Sequence, residues 1–341
     1  MSLSIFRSKP GQLLYGLSGC FIMGLAILFH YITHPKLVFQ RRKHPQERVL
    51  IAAALASGNW THSEVVVNNV PLHVVSCGPK DAPVLVFIHG FPEFWYSWRH
   101  QLVHFSKNYR CIALDLRGYG ESGKPKGKEN YDAEILGKDI DQLLQKLEIK
   151  KVKAVIGHDW GAIVSYSFAT QFPEKLENLI ILNGPHPKIF MERIFTYPQI
   201  LKSFYIFAFQ IPFLPELLYK ANDYGSLKVL FGKLIKQKKM EPEDLEYYKH
   251  SFSQPNAITS AMNYYRQILN SQLKWVKKIN TPTLVIWGTK DKFLPKSSNN
   301  GLEKICTNIQ FKEIPDASHW IQFEKSKEVN AEIEAYLKKS L

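Results

Sequence analysis

Acidic residues are scarce in this chain: 30 Asp and Glu stand against 44 Lys and Arg over 341 residues, a formal net charge of +14. Such an excess raises nucleic acid as a partner. The basic residues are scattered, however, and zinc-ligand spacing and RNA-binding signatures are both missing, so no nucleic-acid partner is expected. A solvated basic surface, or proximity to an anionic membrane, fits the charge better. Cysteine is scarce too. Cys20, Cys77, Cys111 and Cys306 are irregularly spaced, which argues against a disulfide framework or a metal site and predicts reduced thiols. Internal repeats and low-complexity stretches are absent. With 45% apolar and 22% charged residues, the chain has the composition of an ordinary globular protein. Its length leaves room for one large α/β domain with an insertion and extensions.

One stretch lacks charge altogether. Leu13 to Ile32 is a run of 20 residues without Asp, Glu, Lys or Arg. At ~1.5 Å per residue it is long enough to span a bilayer core. Tyr15 and Tyr31 stand near its ends, as interfacial aromatics do. A cleaved signal peptide would have an apolar region of roughly 7–15 residues followed by small residues, and His30 to Lys36 offers no such site. The expectation is a tail at 1–12, a single-pass anchor at 13–32 and a connector at 33–60, with a short amphipathic helix around Gln46 to Ala56. Arg7 and Lys9 precede the anchor, whereas Lys36, Arg41, Arg42, Lys43 and Arg48 follow it. That asymmetry predicts a cytosolic catalytic part, with the endoplasmic reticulum as the expected membrane.

From Thr61 the pattern is that of a folded domain. Glu64–Val67 and Leu72–Val75 flank Asn68-Asn69 as a hairpin would. Apolar runs at Pro83–Ile88, Arg110–Leu114, Val152–Ile156 and Leu179–Leu182 read as strands, and the strand pattern resumes at Pro282–Trp287 and Ile309–Ile314. Helical periodicity lies between them, at Trp95–Phe105, Ala133–Leu147 and past the elbow, and again at Ser326–Lys339. Alternation of this kind predicts a largely parallel sheet. Between Pro185 and Leu273 the alternation stops, and aromatic, helix-like pieces are broken by Pro198, Pro212, Pro215, Pro242 and Pro255. The expected architecture is an α/β core at 61–184 and 274–341, with a helical cap at 185–273.

The chemistry gathers around Gly157-His158-Asp159-Trp160-Gly161. A strand, a tight Gly-x-X-x-Gly turn and a helix form a nucleophile elbow, which lifts the central side chain above the sheet edge. A carboxylate there attacks saturated carbon and leaves an alkyl ester for water to cleave. The plainer reading is that Asp159 caps the following helix. Two further residues weigh against it. Asp291 follows one buried strand, and His319 follows the last, both where the carboxyl ends of strands collect ligands. Nucleophile, acid, histidine is the chain order of α/β-hydrolases. In this arrangement His319 activates water and Asp291 orients it. His89-Gly90-Phe91-Pro92 closes another strand, so the backbone N–H groups of Phe91 and Trp160 are the expected oxyanion donors.

These residues carry a resemblance covering roughly Thr61 to Lys339. His89 to Trp98, Asp115-Leu116-Arg117-Gly118-Tyr119-Gly120, the elbow and Pro185-His186-Pro187 resemble the epoxide hydrolases of the α/β-hydrolase superfamily. With its N-terminal anchor, the chain is most similar to the animal epoxide hydrolase 3 and 4 group. The resemblance implies an α/β-hydrolase fold with an inserted helical cap, and diol formation without a metal or organic cofactor. It also implies two cap tyrosines that bind the substrate's epoxide oxygen. These fall at Tyr205 and Tyr265; a one-residue slip would exchange Tyr265 for Tyr264. Phe91 and Trp160 would line the substrate site as well. The anchor and aromatic cap point to a lipophilic epoxide, such as a fatty-acid epoxide, with water as co-substrate. Two alternatives are a dehalogenase using the same aspartate and an inactive hydrolase-fold binding protein. Phe91, which cannot donate from its side chain to a halide, favours epoxide opening.

Overall fold

The computed structural model describes residues 59–197, 199–271, 273 and 277–339. The expected anchor at Leu13–Ile32 and the helix around Gln46 to Ala56 lie outside the described residues. Among those described, no helix is long and apolar enough to cross a membrane.

Strands β1 (Thr61–Val67) and β2 (Val70–Cys77) form the expected hairpin. Asn68 and Asn69 turn it with φ of 45° and 60°, the left-handed pair that a two-residue turn requires. There follow β3 (Val84–Ile88), α1 (Arg99–Phe105), β4 (Arg110–Leu114), α2 (Ala133–Lys146), β5 (Ala154–His158), α3 (Trp160–Gln171) and β6 (Leu179–Leu182). Every residue of β3, β5 and β6 is buried, as continuous apolar strands covered on both faces must be.

The chain then leaves the sheet through a run of helices: α4 (Pro187–Arg193), α5 (Gln199–Lys202), α6 (Phe204–Ala208), α7 (Leu214–Lys236), α8 (Pro242–Ser253) and α9 (Ala257–Ile268). Pro187, Pro215 and Pro242 sit in first turns, where a missing N–H leaves no hydrogen bond unmade. Helix α7 is broken at Ala221–Tyr224, where Asn222, Asp223 and Tyr224 all take positive φ. The sheet resumes with β7 (Thr283–Gly288) and β8 (Ile309–Ile314). Helices α10 (Ile321–Glu324) and α11 (Ser326–Lys339) close the fold.

Among the described residues the sheet has eight strands in the order β1-β2-β4-β3-β5-β6-β7-β8. It is antiparallel at β1–β2 and β2–β4 and parallel from β4 through β8. The order reverses at β3, so a crevice opens beyond the carboxyl ends of β3 and β5. The helical run sits over that end through specific ties. The Tyr264 hydroxyl donates to the Arg117 carbonyl at 2.8 Å, and Arg99 and Tyr96 donate to Asp244 at 2.7 and 2.9 Å.

Candidate active site

Register aligns the strand ends. Ile88 lies opposite Gly157, His158 opposite Leu182 and Leu182 opposite Ile286. The segments leaving β3, β5, β6 and β7 therefore emerge side by side. Asp159 occupies the turn out of β5 with φ 52° and ψ −115°, an uncommon conformation for a residue with a side chain. It stands at the N-cap of α3, yet its side chain accepts no capping bond. The plain capping reading fails on that point. The flanking glycines answer to close approach. A Cβ on Gly161 would lie 2.0 Å from the Ile88 carbonyl oxygen, and one on Gly157 would lie 2.3 Å from Ser165 Oγ.

Three side chains form a line above this turn. His319 Nε2 stands 3.5 Å from Asp159 Oδ2, and His319 Nδ1 stands 2.8 Å from Asp291 Oδ2. Asp291 is itself held. Asn183 Nδ2 donates to its Oδ2 at 2.6 Å, and the N–H groups of Phe293 and Leu294 donate to its Oδ1 at 2.8 and 2.9 Å. Burial pushes the Asp291 carboxyl up, but charged His319 and these donors outweigh it and hold it below its ordinary value. For His319, burial favours the neutral ring. The carboxylates of Asp291 and Asp159 on its two sides prevail and push the imidazole up to about 10.

The other oxygen of Asp159 has a separate partner: the Phe91 backbone N–H donates to Oδ1 at 2.9 Å. The loop carrying Phe91 is fixed by a buried polar cluster. Glu93 Oε2 accepts from the Gly90 N–H at 3.0 Å and lies 2.9 Å from His158 Nδ1. Gln322 donates to Glu93 Oε1 at 2.6 Å. His158 Nε2 donates to the His319 carbonyl at 2.8 Å, so one imidazole ties the Phe91 loop to the His319 loop. All three side chains are fully buried. Sequence reasoning missed Asn183, Glu93, His158 and Gln322. Asn183 follows β6 directly, and that position at a strand's carboxyl end was the available sign; Glu93 and His158 adjoin motifs already singled out.

Above Asp159 and His319 lies a cavity of about 580 Å³. Phe91, Tyr205, Phe209, Tyr219, Tyr265 and Phe293 line it alongside them, so its wall is rich in aromatic rings. The rings of Tyr205 and Tyr265 are 5.6 Å apart, and the Trp160 ring meets Tyr265 edge-on at 5.0 Å. Burial first, then the Asp159 charge for Tyr205 and the neighbouring Tyr205 for Tyr265, hold both hydroxyls well above their ordinary pKa. Both phenols are therefore neutral donors at physiological pH. Tyr264, the neighbour one residue away, points elsewhere: its hydroxyl is spent on the Arg117 carbonyl and its ring packs against Tyr119 and Tyr131.

Residues 83–326 match the family described as alpha/beta hydrolase fold. The chain is 40% identical to mouse epoxide hydrolase 4 over 288 residues, covering 82% of this chain and 80% of that protein. It is 31% identical to mouse epoxide hydrolase 3, covering 99% and 95% respectively. Among solved structures, an epoxide hydrolase from Bacillus megaterium in complex with an inhibitor aligns with a TM-score of 0.74 at 32% identity. That alignment covers 81% of this chain and 100% of that one. On these likenesses the chain belongs to the epoxide hydrolases of the α/β-hydrolase fold, and animal epoxide hydrolases 3 and 4 are among the relatives it resembles.

Proposed function

We propose that the protein hydrolyses lipophilic epoxides, such as fatty-acid epoxides, to vicinal diols through an alkyl ester on Asp159. The observation that carries this reading is the division of labour at the two oxygens of Asp159. Oδ1 is committed to the Phe91 N–H, so Oδ2, beside His319, is the oxygen that attacks a ring carbon. The carbon–oxygen bond of the strained ring breaks, and its electron pair moves to the epoxide oxygen. Tyr205 and Tyr265 stabilise that charge, and one donates its proton. The ester carbonyl is then Oδ1, already at the Phe91 N–H, with the Trp160 N–H as second donor to the oxyanion of the next step.

Esterification removes the Asp159 charge that helped to raise His319. The imidazole becomes less basic at the stage where it must be neutral, and it takes a proton from water while Asp291 holds Nδ1. The proton that His319 sheds on becoming neutral goes to the tyrosinate. Water's oxygen attacks the ester carbon and the bond from that carbon to Oδ2 breaks. Oδ2 leaves in the diol with the proton His319 took from water, and water's second proton passes from the new Asp159 carboxyl to His319. No step calls for a cofactor. A dehalogenase would need halide donors, yet Phe91 has none in its side chain.

The aromatic cavity supports a lipophilic substrate. By the same reading Leu13–Ile32 anchors the chain, with the catalytic domain on the cytosolic face of the endoplasmic reticulum. The deciding experiment compares wild type with Asp159→Ala in diol formation from a fatty-acid epoxide and from styrene oxide. Diol from wild type alone fits the assignment. Equal turnover by both proteins would refute the nucleophile, and silence from both in cooperatively melting protein would favour a binding role.

A further inference from the structure

Helices α5 to α7 carry a surface unlike the rest of the molecule. Among the described residues, seven large hydrophobic side chains are more than half exposed. Five of them, Tyr197, Leu201, Phe213, Leu217 and Val229, fall within about thirty residues of this run, with only Val66 and Val103 elsewhere. The same stretch, residues 197–240, holds seven lysines and two acids. Both acids are already engaged: Glu216 pairs with Arg266 at 2.9 Å, and Asp223 pairs with Lys249 at 2.8 Å. Lys220, Lys228, Lys233, Lys236, Lys238 and Lys239 are exposed. Exposed acids return only at Glu241.

This surface surrounds an opening. Val229, 84% exposed, and Phe204, 38% exposed, both line the cavity that contains Asp159, as does Lys202. On α7, Leu217 and Lys220 share one face just past Phe213 at the N-cap, and Val229, Lys233 and Lys236 share another. Apolar side chains ringed by lysines, with no uncommitted acid among them, have the chemistry of a surface that lies on an anionic bilayer. A second copy of the chain is a poor occupant, because it would bring the same uncompensated positive charge against this one.

We infer that this face of the cap rests on an anionic lipid surface, so that the cavity opens into the bilayer and receives its epoxide from there. The inference deepens the proposed function and rests on it for the identity of the cavity's ligand. It assigns Leu201, Phe213 and Leu217 to the lipid contact and the lysines to lipid phosphates and carboxylates.

The test places the full chain in lipid nanodiscs of phosphatidylcholine alone, or with phosphatidylserine added, and measures amide hydrogen exchange in 199–204 and 212–239. Exchange in both segments is expected to slow in the serine-containing discs. It should return to the faster rate in the variant Leu201→Glu/Phe213→Glu/Leu217→Glu. That variant should also raise KM about tenfold for a long-chain epoxide dissolved in the disc, leaving kcat and KM for styrene oxide unchanged. Exchange that ignores both lipid composition and the variant would overturn the inference. So would protection that appears without lipid and grows with protein concentration, since it would mark a contact between copies. Slowed exchange in a wild type that forms no diol would sink the epoxide reading and leave the lipid contact standing. Turnover with unchanged exchange would do the reverse.

Discussion

In the core, each site residue is fixed by hydrogen bonds to its neighbours. His319 is held by Asp291, Asp291 by Asn183 and two backbone N–H groups, and the Phe91 loop by Glu93 and His158. In the cap, Tyr205 and Tyr265 are positioned mainly by rings. Tyr265 meets Trp160, Phe91 and Phe209 edge-on at 5.0 to 5.4 Å, and Tyr205 meets Phe209 at 5.7 Å. A satisfied hydrogen-bond network fixes orientation as well as position, because an unpaired buried polar group costs about 1–3 kcal/mol. Aromatic packing fixes position but tolerates small rotations. The core is thus expected to supply chemistry that fails outright when altered, and the cap chemistry that fails by degrees.

The sharpest break comes from Asp159→Ala, which removes the proposed nucleophile. Diol formation should fall by about 10⁴-fold or more in a steady-state assay, with folding intact by circular dichroism. His319→Gln keeps the shape and removes the proposed base. Turnover should fall by about 10³–10⁴-fold while the protein gains the mass of one substrate molecule, read by intact mass spectrometry. Rapid turnover without that adduct would separate His319 from the second step. On the cap side, Tyr205→Phe and Tyr265→Phe should each slow alkylation about 10²-fold in single-turnover kinetics, with a larger loss when combined. Tyr264→Phe sharpens the contrast. It deletes only the bond to the Arg117 carbonyl, so it should cost about 1 kcal/mol in urea unfolding and leave the alkylation rate nearly unchanged.

The gentlest probe is pH. The folded state raises His319 from its ordinary 6.5 to about 10. The charged form is therefore favoured on folding. Its stabilisation is complete below pH 6.5 and is lost as the pH climbs to about 10. Asp291 has the opposite sign: its pairing stabilises above the ordinary carboxyl value of 3.8 and is lost as the pH falls through the depressed folded value. Urea midpoints measured against pH should decline on both flanks; His319→Gln should flatten the alkaline flank and also shrink the acid one, because charged His319 helps to hold Asp291 down.

Much of the core was legible because its rules are local. Leu179–Leu182 is a strand over the residues its apolar character indicated, Ile309–Ile314 is one where the strand pattern resumes, and Asn68-Asn69 is the turn those two asparagines favour. Asp291 and His319 follow strands, and their place in chain order was readable. The hydrogen-bonded cluster was not, because Glu93, His158 and Gln322 are up to 229 residues apart and nothing in their spacing announces a contact. The cap was the harder region. Prolines and aromatics marked it as helical pieces, yet the break of α7 at Ala221–Tyr224 has no glycine within it, and only Gly225 just after.

The sequence by itself determined the alternation of strand and helix, the elbow and the order of Asp159, Asp291 and His319. Periodicity, turn chemistry and strand-end loops are properties of short segments. Only the tertiary structure decided which of two adjacent tyrosines faces the cavity. On helix α9, successive side chains point about 100° apart, and both Tyr264 and Tyr265 are buried. What distinguishes them is what waits on each side: the Arg117 carbonyl for Tyr264, and the cavity above Asp159 for Tyr265.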